Sequence, residues 1–295
     1  MKTIFLAAFL GFLQPILSFG QSNLTAIDPN CACDSLAKDN FEEPLRFEFG
    51  PYKGTCVNSC VFRRSYLATM PEGVISADGT KTGLTNILHN GRYWMGAIAD
   101  QKIEYADILF EDFFLGVAHV SIRLHFFRPL ELTAQTPKLT GPATTKISDL
   151  VFSSEAAYGP GKRINLVEGA MGNYLLSHRF LSLEQVHATS VVTLRHSIKQ
   201  FRLRLNQSQL NALFRSAILK SQRESFRTVY QLLSNNCATS ATGLLQIVSG
   251  FPPKLLENGH RAVSVSGNYG TLPWLEMVGL LETSIHLPNL EQEFR

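Results

Sequence analysis

Cysteine is scarce in this sequence, with five among 295 residues, and neither sign of charge is in large excess. The 27 basic and 24 acidic residues leave a formal net charge of +3, which is too small over this length to indicate nucleic-acid binding. After residue 20, no stretch approaches the ~18 uninterrupted apolar residues of a membrane-spanning helix. Phosphate-binding loops, dinucleotide fingerprints, HExxH motifs and clusters of metal ligands are also missing, so we predict neither a cofactor nor a metal.

The first twenty residues have the layout of a secretory signal peptide. Lys2 supplies a basic start, Ile4–Leu13 (IFLAAFLGFL) is an apolar run, and Ser18 and Gly20 are small residues at positions −3 and −1 before Gln21. The apolar run is too short to span a membrane, and no cysteine follows it at a lipoprotein spacing. We therefore expect cleavage after Gly20 and a periplasmic or secreted mature chain without a lipid anchor or a transmembrane segment.

Four of the cysteines lie close together near the N-terminus: Cys31, Cys33, Cys56 and Cys60. An oxidising compartment favours disulfides, and these spacings differ from the Cys-x2-Cys pairs that usually hold structural zinc. A bridge within the Cys31-Ala-Cys33 pair is strained. We therefore predict two bridges from that pair to Cys56 and Cys60, which staple an N-terminal extension over residues 21–83.

Period-two alternation predicts the clearest strand, over residues 118–126, where apolar residues alternate with largely polar ones. Pro129 is expected to end this strand. Residues 147–153 predict a second strand, and residues 191–194 and 198–205 are further candidates. The segment 84–98 is ambiguous because it mixes apolar residues with the turn dipeptide Asn90-Gly91.

Two helices are predicted in the second half of the chain. Asn206 or Ser208 caps the first, in which apolar residues follow at helical spacing. The second comes after Cys237 and stops at Gly250. We place one domain over residues 84–250 and expect residues 251–295 to form a tail that packs on it.

Cys237 is the cysteine left over, far from the other four. Because Asn is among the best N-cap residues, Asn236 places Cys237 in the first turn of the second helix. The partial positive charge of a helix N-terminus stabilises a thiolate, and its free backbone N–H groups can stabilise an oxyanion. These features predict a nucleophile at Cys237 with an oxyanion site at the Asn236 cap. A buried, inert thiol and an intermolecular disulfide are the alternatives.

A base is needed to activate such a thiol, and eight histidines are available. His119 and His125 lie on the polar face of the predicted strand 118–126. A strand rises ~3.3 Å per residue, so the two lie ~20 Å apart and only one can face Cys237. We favour His119, which lies nearer the start of the strand. Glu155, at the end of the next predicted strand, is the candidate for orienting the imidazole, and an ordinary surface carboxylate is the alternative.

Three segments together resemble the Lnb N-terminal periplasmic domain family, which is a bacterial domain of unknown function. They are Gly116–Leu124 (GVAHVSIRL), Val151–Ala156 (VFSSEA) and Tyr230–Thr239 (YQLLSNNCAT), and the resemblance covers roughly residues 105–250. The family is similar to circularly permuted papain-like enzymes, among them the NlpC-like peptidoglycan endopeptidases and the lecithin:retinol acyltransferase group. In those enzymes the histidine strand precedes the cysteine helix.

The resemblance implies an α+β fold, a circularly permuted papain-like domain with an antiparallel sheet packed against helices. It marks Cys237 as nucleophile, His119 as base and Glu155 as third member. Family sequences often carry an Arg close behind that Glu, whereas Ala156 follows here. The implied function is a cell-envelope thiol hydrolase or acyltransferase acting on an amide or ester bond. Its substrate would be peptidoglycan peptide, a lipid acyl group or a protein. A non-catalytic envelope binding or scaffold protein is the alternative.

Overall fold

The structure, a computed structural model, describes residues 46–58, 61–70, 82–98, 101–114, 117–135, 143–232, 234–250 and 270–295. The strands of these residues form one sheet: β1 (Leu67–Thr69), β2 (Thr82–His89), β3 (Arg92–Ala97), β4 (Ile103–Phe114), β5 (Val117–Ala134), β6 (Thr144–Ala157), β7 (Tyr174–Ser182), β8 (Ser197–Arg202) and β9 (Val229–Tyr230). Their α-helices are α1 (Leu166–Ala170), α2 (Leu183–Val186), α3 (Gln207–Glu224), α4 (Cys237–Ser249), α5 (Leu272–Met277) and α6 (Leu290–Glu293).

Five strands of the sheet close into a barrel. β2, β3, β5, β6 and β7 are neighbours in that order and pair antiparallel, and β7 returns to β2. The closing pair is parallel, with Ile87 opposite Phe180 and Leu88 opposite Leu181. The other strands lie outside the ring: β4 pairs with β5, β8 with β4, β1 with β2, and β9 with β7.

The predicted fold is therefore wrong. An antiparallel papain-like sheet was expected, whereas the sheet is mixed and its central five strands form a closed ring. The pairing that closes the ring joins Ile87 to Phe180, which lie far apart in the chain, and local periodicity carries no information about such a contact. Among the described residues, no disulfide joins two cysteines, so the predicted staple of the N-terminal extension gains no support there. Cys56 is disulfide-bonded and Cys237 is free, while Cys31, Cys33 and Cys60 lie outside the described residues.

β5 is the longest strand and carries the alternation seen in the sequence. Its even-numbered residues from Ala118 to Phe126 are buried in the main hydrophobic cluster, so the odd-numbered residues point to the opposite face. The expected end at Pro129 is wrong, because the strand continues to Ala134. The pairing of β5 with β6 shifts between His125 and Leu130, and this irregularity accommodates a proline that has no N–H for the ladder.

The hairpin of β2 and β3 resolves the ambiguous segment 84–98. Asn90 and Gly91 have φ of 49° and 71°, the left-handed values that a tight two-residue turn requires. The predicted strand over residues 191–194 is wrong, since His187–Thr193 forms a π-helical turn after α2. The predicted strand near residue 198 is present as β8.

α3 and α4 cover the apolar face of β4, β5 and β6. Asn206 caps α3, with its side chain accepting from the Gln209 backbone N–H at 3.0 Å. Leu213 of α3 and Leu245 of α4 are fully buried in the same cluster as Ile122 of β5. This packing sets the N-terminus of α4 against the start of β5.

Segments from both ends of the described chain also pack on the barrel. Phe47 and Phe62 form a second cluster with Leu175 of β7. Near the other end, Trp274 joins the main cluster and Leu290 joins a third. These contacts extend the hydrophobic packing beyond α3 and α4.

Candidate active site

Cys237 is the first residue of α4, and Asn236 is the N-cap. The side chain of Asn236 accepts from the Thr239 backbone N–H at 3.0 Å, and Thr239 Oγ1 accepts from the Asn236 N–H at 2.8 Å. This reciprocal capping box fixes the start of the helix. The N–H groups of the first helical turn have no acceptor within the helix and carry its partial positive charge. The Cys237 thiol thus lies, 8% exposed, at the positive end of α4.

His119 forms a hydrogen bond with this thiol. Burial raises the pKa of Cys237, but the charge of His119, the hydrogen bond to it and the backbone N–H groups of Val120 and Ala238 together outweigh burial. The result is a lowered thiol pKa. Burial lowers the pKa of His119, while the Cys237 thiolate, Glu155 and Glu111 raise it, to about 9 overall. The pair is therefore stabilised as thiolate and imidazolium.

Ser153 contacts the other side of the imidazole. His119 Nε2 lies 2.8 Å from Ser153 Oγ, and the Ser153 hydroxyl donates to Glu155 Oε1 at 2.7 Å. Because Ser153 uses its proton toward Glu155, its oxygen accepts from the Nε2–H of His119. This arrangement leaves Nδ1 of His119 for the thiol.

Glu155, the predicted third member, therefore stands one hydroxyl away from His119. Arg179 of β7 binds it, with Nη2 2.6 Å from Glu155 Oε2, and also donates to the Val61 carbonyl oxygen. Burial raises the pKa of Glu155, but Arg179 and then His119 hold it below its usual range. The carboxylate is thus fixed in its charged form.

Ser153 and Arg179 are the residues of this network that the sequence analysis missed. Ser153 precedes Glu155 by two residues on a strand, so both side chains project from one face, and that spacing was a usable signal. Arg179 lies directly opposite Ser153 in the β6–β7 pairing. No Arg follows Glu155 along the chain, and the neighbouring strand supplies the guanidinium instead.

A second carboxylate approaches His119 from the opposite side. Glu111 of β4 is directly opposite His119 in the β4–β5 pairing. Its Oε1 lies 2.6 Å from His196 Nδ1. The ring of Phe113, 44% exposed, lies with its centroid 6.5 Å from that of His119 and 5.1 Å from that of His196. The imidazole is thus flanked by Glu111 on β4 and by Ser153 and Glu155 on β6.

Tyr230 lies beside the nucleophile. Burial raises the pKa of its hydroxyl, and the charges of Cys237 and Glu155 raise it further, so the phenol stays neutral. Its ring also contacts the α1 turn, where a side chain at Gly169 would meet Tyr230 Cε1 at 3.4 Å. Tyr230 therefore gives the site a neutral wall with one hydroxyl.

Comparison with known families gives one match to part of the chain. Residues 118–258 match the Lnb N-terminal periplasmic domain family. This part of the chain is similar to an Lnb N-terminal periplasmic domain. Its matched region contains Cys237, His119, Ser153, Glu155 and Arg179, whereas Glu111 precedes it. Among curated proteins and solved structures, none matches the chain.

Three other histidines, His125, His178 and His187, have other partners. His125 Nδ1 lies 2.8 Å from Asp149 Oδ1, and the ring stacks on Tyr105. His178 is fully buried, with Nδ1 2.7 Å from Ser154 Oγ. His187 stacks on Phe294. Of the two histidines weighed from the sequence, the structure brings His119 to Cys237.

The family is periplasmic, in agreement with the predicted location. No helix among the described residues is long and apolar enough to cross a membrane. Across the same residues, no group of three or more His, Cys, Asp and Glu side chains is arranged to hold a metal ion. The predicted signal peptide and the first two cysteines, Cys31 and Cys33, lie outside the described ranges.

Proposed function

We propose that this chain is a thiol hydrolase or acyltransferase of the cell envelope that acts on an amide or ester bond. The observation that carries the proposal is the hydrogen bond between the Cys237 thiol and His119 at the positive end of α4. A nucleophile and a base in direct contact, with a third group orienting the base, is the arrangement that acyl transfer through a covalent intermediate requires.

In the first half-reaction, the Cys237 thiolate attacks the substrate carbonyl carbon and forms the C–S bond. The backbone N–H of Cys237, the first residue of α4, stabilises the oxyanion, whereas the N–H of Asn236 is already bound to Thr239 Oγ1. As the tetrahedral intermediate collapses, the bond to the leaving nitrogen or oxygen breaks. His119 gives its Nδ1 proton to that leaving group, and a thioester and a neutral imidazole remain.

In the second half-reaction, the thioester is resolved by water or another acceptor. Once Cys237 is acylated, its negative charge is gone, and the contribution that most raises the pKa of His119 goes with it, while burial still lowers that pKa. His119 then accepts the proton of the attacking nucleophile. The C–S bond breaks, the product leaves, and the thiolate–imidazolium pair forms again.

The alternative from the sequence, a non-catalytic envelope binding or scaffold protein, gains no support from this geometry. A packed thiol in such a protein needs neither an imidazole partner nor the Ser153–Glu155–Arg179 network behind that imidazole. A buried charged network of this kind costs free energy of desolvation. Its presence behind His119 favours the enzyme.

Thiol reactivity tests the proposal. Iodoacetamide labelling of the full chain at pH 5 to 7 is expected to occur well below the ordinary thiol pKa of ~8.5, and to be lost in His119→Ala. Cys237→Ser gives the background from other sites. Labelling that follows a pKa near ~8.5 in both the wild type and His119→Ala would remove the argument for activation.

The substrate class proposed from the resemblance is peptidoglycan peptide, a lipid acyl group or a protein, met in the periplasm after signal-peptide cleavage at Gly20. Fractionated envelope material incubated with the wild type, beside Cys237→Ser, tests this part. Release or transfer of an acyl group only by the wild type identifies the bond. Identical products with both proteins would favour the binding protein.

A further inference from the structure

A surface cavity of about 280 Å³ lies away from the residues of the candidate active site. Two of its lining residues, Arg64 and Tyr66, belong to the segment that leads into β1. The other three come from the end of α3 and the turn after it: Gln222, Arg223 and Arg227. The cavity is therefore built between two segments that are far apart in the chain.

Three of the five lining residues are arginines, and none is acidic. Glu224, which follows Arg223 along the chain, is paired with Lys220 at 2.5 Å. Positive charges grouped around one cavity attract an anion. Arg223 also interacts favourably with the C-terminal end of α3.

The walls of the cavity are held in place by buried contacts. Ser65, between the two lining residues of the first wall, is fully buried, and its N–H donates to Ser221 Oγ of the second wall at 2.9 Å. Phe226, next to Arg227, has φ of 63°, a left-handed conformation that is costly for a bulky residue. Its ring is buried and its N–H donates to the Leu176 carbonyl at 2.8 Å. Burial thus fixes the turn that carries Arg227.

We propose that this cavity is a binding site for a phosphate group. Guanidinium groups bind phosphate oxygens through pairs of parallel hydrogen bonds, and a phosphate offers several oxygens and up to two negative charges to three arginines. A carboxylate carries only one charge and two oxygens. Tyr66 and Gln222 add a hydroxyl and an amide, which can complete the hydrogen bonding of a phosphate ester.

The segment that forms the first wall also reaches the buried network of the candidate active site. The Val61 carbonyl accepts from Arg179, which binds Glu155, and Arg64 lines the cavity three residues later. A phosphate-bearing molecule bound here would contact the segment that supports Arg179. The proposal does not depend on catalysis by Cys237, since it rests on the cavity alone.

Phosphate binding to the full chain, measured by calorimetry at low salt, tests the proposal. Saturable binding of inorganic phosphate is expected for the wild type, and at least about tenfold weaker binding for Arg227→Gln and Arg223→Gln, because each removes a charged hydrogen-bond donor. Arg215→Gln is the matched control: Arg215 is exposed on the same helix and does not line the cavity. Circular dichroism verifies that each variant is folded.

Vesicles identify the source of the phosphate. Arginine-dependent binding to phosphatidylglycerol vesicles, but not to neutral phosphatidylcholine vesicles, would support the site and assign it a lipid headgroup. Binding of free phosphate without vesicle binding would support the site and assign it a water-soluble phosphate ester. Absence of both, or an equal loss of binding in Arg215→Gln and Arg227→Gln, would overturn the proposal.

Discussion

Ser153 Oγ lies 2.8 Å from His119 Nε2 and donates a hydrogen bond to Glu155, so a hydroxyl lies where a carboxylate was expected. The hydrogen bond from Ser153 to Glu155 fixes the direction of the hydrogen bond between His119 and Ser153. The hydroxyl can accept from His119 only while it donates to Glu155, and this requirement keeps Nδ1 of the imidazole toward Cys237. The hydrogen-bond direction, rather than a charge in direct contact, therefore orients the base.

Removal of this hydroxyl should impair the site without unfolding the protein. In Ser153→Ala, we expect iodoacetamide labelling of Cys237 at pH 6 to slow by about tenfold, because His119 loses the acceptor that orients it. Ser121, directly opposite Ser153 on β5, provides the control Ser121→Ala, which should label at the wild-type rate. Equal labelling of the wild type and Ser153→Ala would contradict the orienting role.

The ion pair of Glu155 with Arg179 should be strongly coupled. Arg179→Gln leaves a partly buried carboxylate without its cation, and Glu155→Gln leaves a buried guanidinium without its anion, so each should lower the free energy of unfolding by up to about 3–5 kcal/mol. The double variant should lose less than the sum of the two. Urea unfolding at pH 7 measures all four proteins, and simple additivity would argue against a direct pair.

Acid should destabilise the fold through His178. Burial, with a smaller contribution from Lys220, lowers the pKa of this histidine to about 3, against ~6.5 when unfolded. Its stabilising contribution is therefore complete above pH 6.5 and is lost as the pH falls toward 3, by about 1.4 kcal/mol per pH unit. The variant His178→Gln removes this titration.

The measurement is the urea midpoint of the wild type and His178→Gln between pH 7 and pH 4. The decline on acidification should be shallower in the variant, whatever its stability at pH 7. His187→Gln, which alters a stacked histidine near the surface of the fold, is the control and should keep the wild-type slope. Parallel curves for all three proteins would be inconsistent with a neutral buried His178.

The second carboxylate beside His119 should contribute to thiol activation. The charge of Glu111 helps to raise the pKa of His119. Glu111→Gln should therefore make protonation of His119 less favourable and shift the pH dependence of Cys237 labelling upward. The effect should be smaller than that of Ser153→Ala, because Glu111 acts without a hydrogen bond to the ring. Asp112→Asn is the control, since Asp112 follows Glu111 but pairs with Lys199. An unchanged profile in Glu111→Gln would exclude this contribution.

Local patterns predicted the local parts of this molecule. Alternation along β5 separated the buried residues such as Val120 from the polar face that carries His119, because a strand presents successive side chains to opposite faces. The Asn236 cap placed Cys237 at a helix start for an equally local reason. The structure brings these two residues together, while their catalytic roles stay a prediction.

Contacts between distant segments were beyond the same reasoning. The parallel pairing of Leu88 with Leu181 closes the barrel, and neither segment contains a signal for the other. Arg179 reaches Glu155 only because β7 lies beside β6. Pro129 does not end β5 as predicted, since the rule that proline ends a strand fails where the pairing shifts.

Ring closure has a mechanical consequence for the chemistry. β5 is hydrogen-bonded to β3 and β4, and β6 to β5 and β7, so neither strand offers a free edge. To slide His119 relative to Ser153, the chain would have to break ladders on both flanks at once. The base and its orienting hydroxyl therefore behave as one stiff unit, and any adjustment to a bulky substrate falls to the walls around the thiol rather than to the strands beneath it.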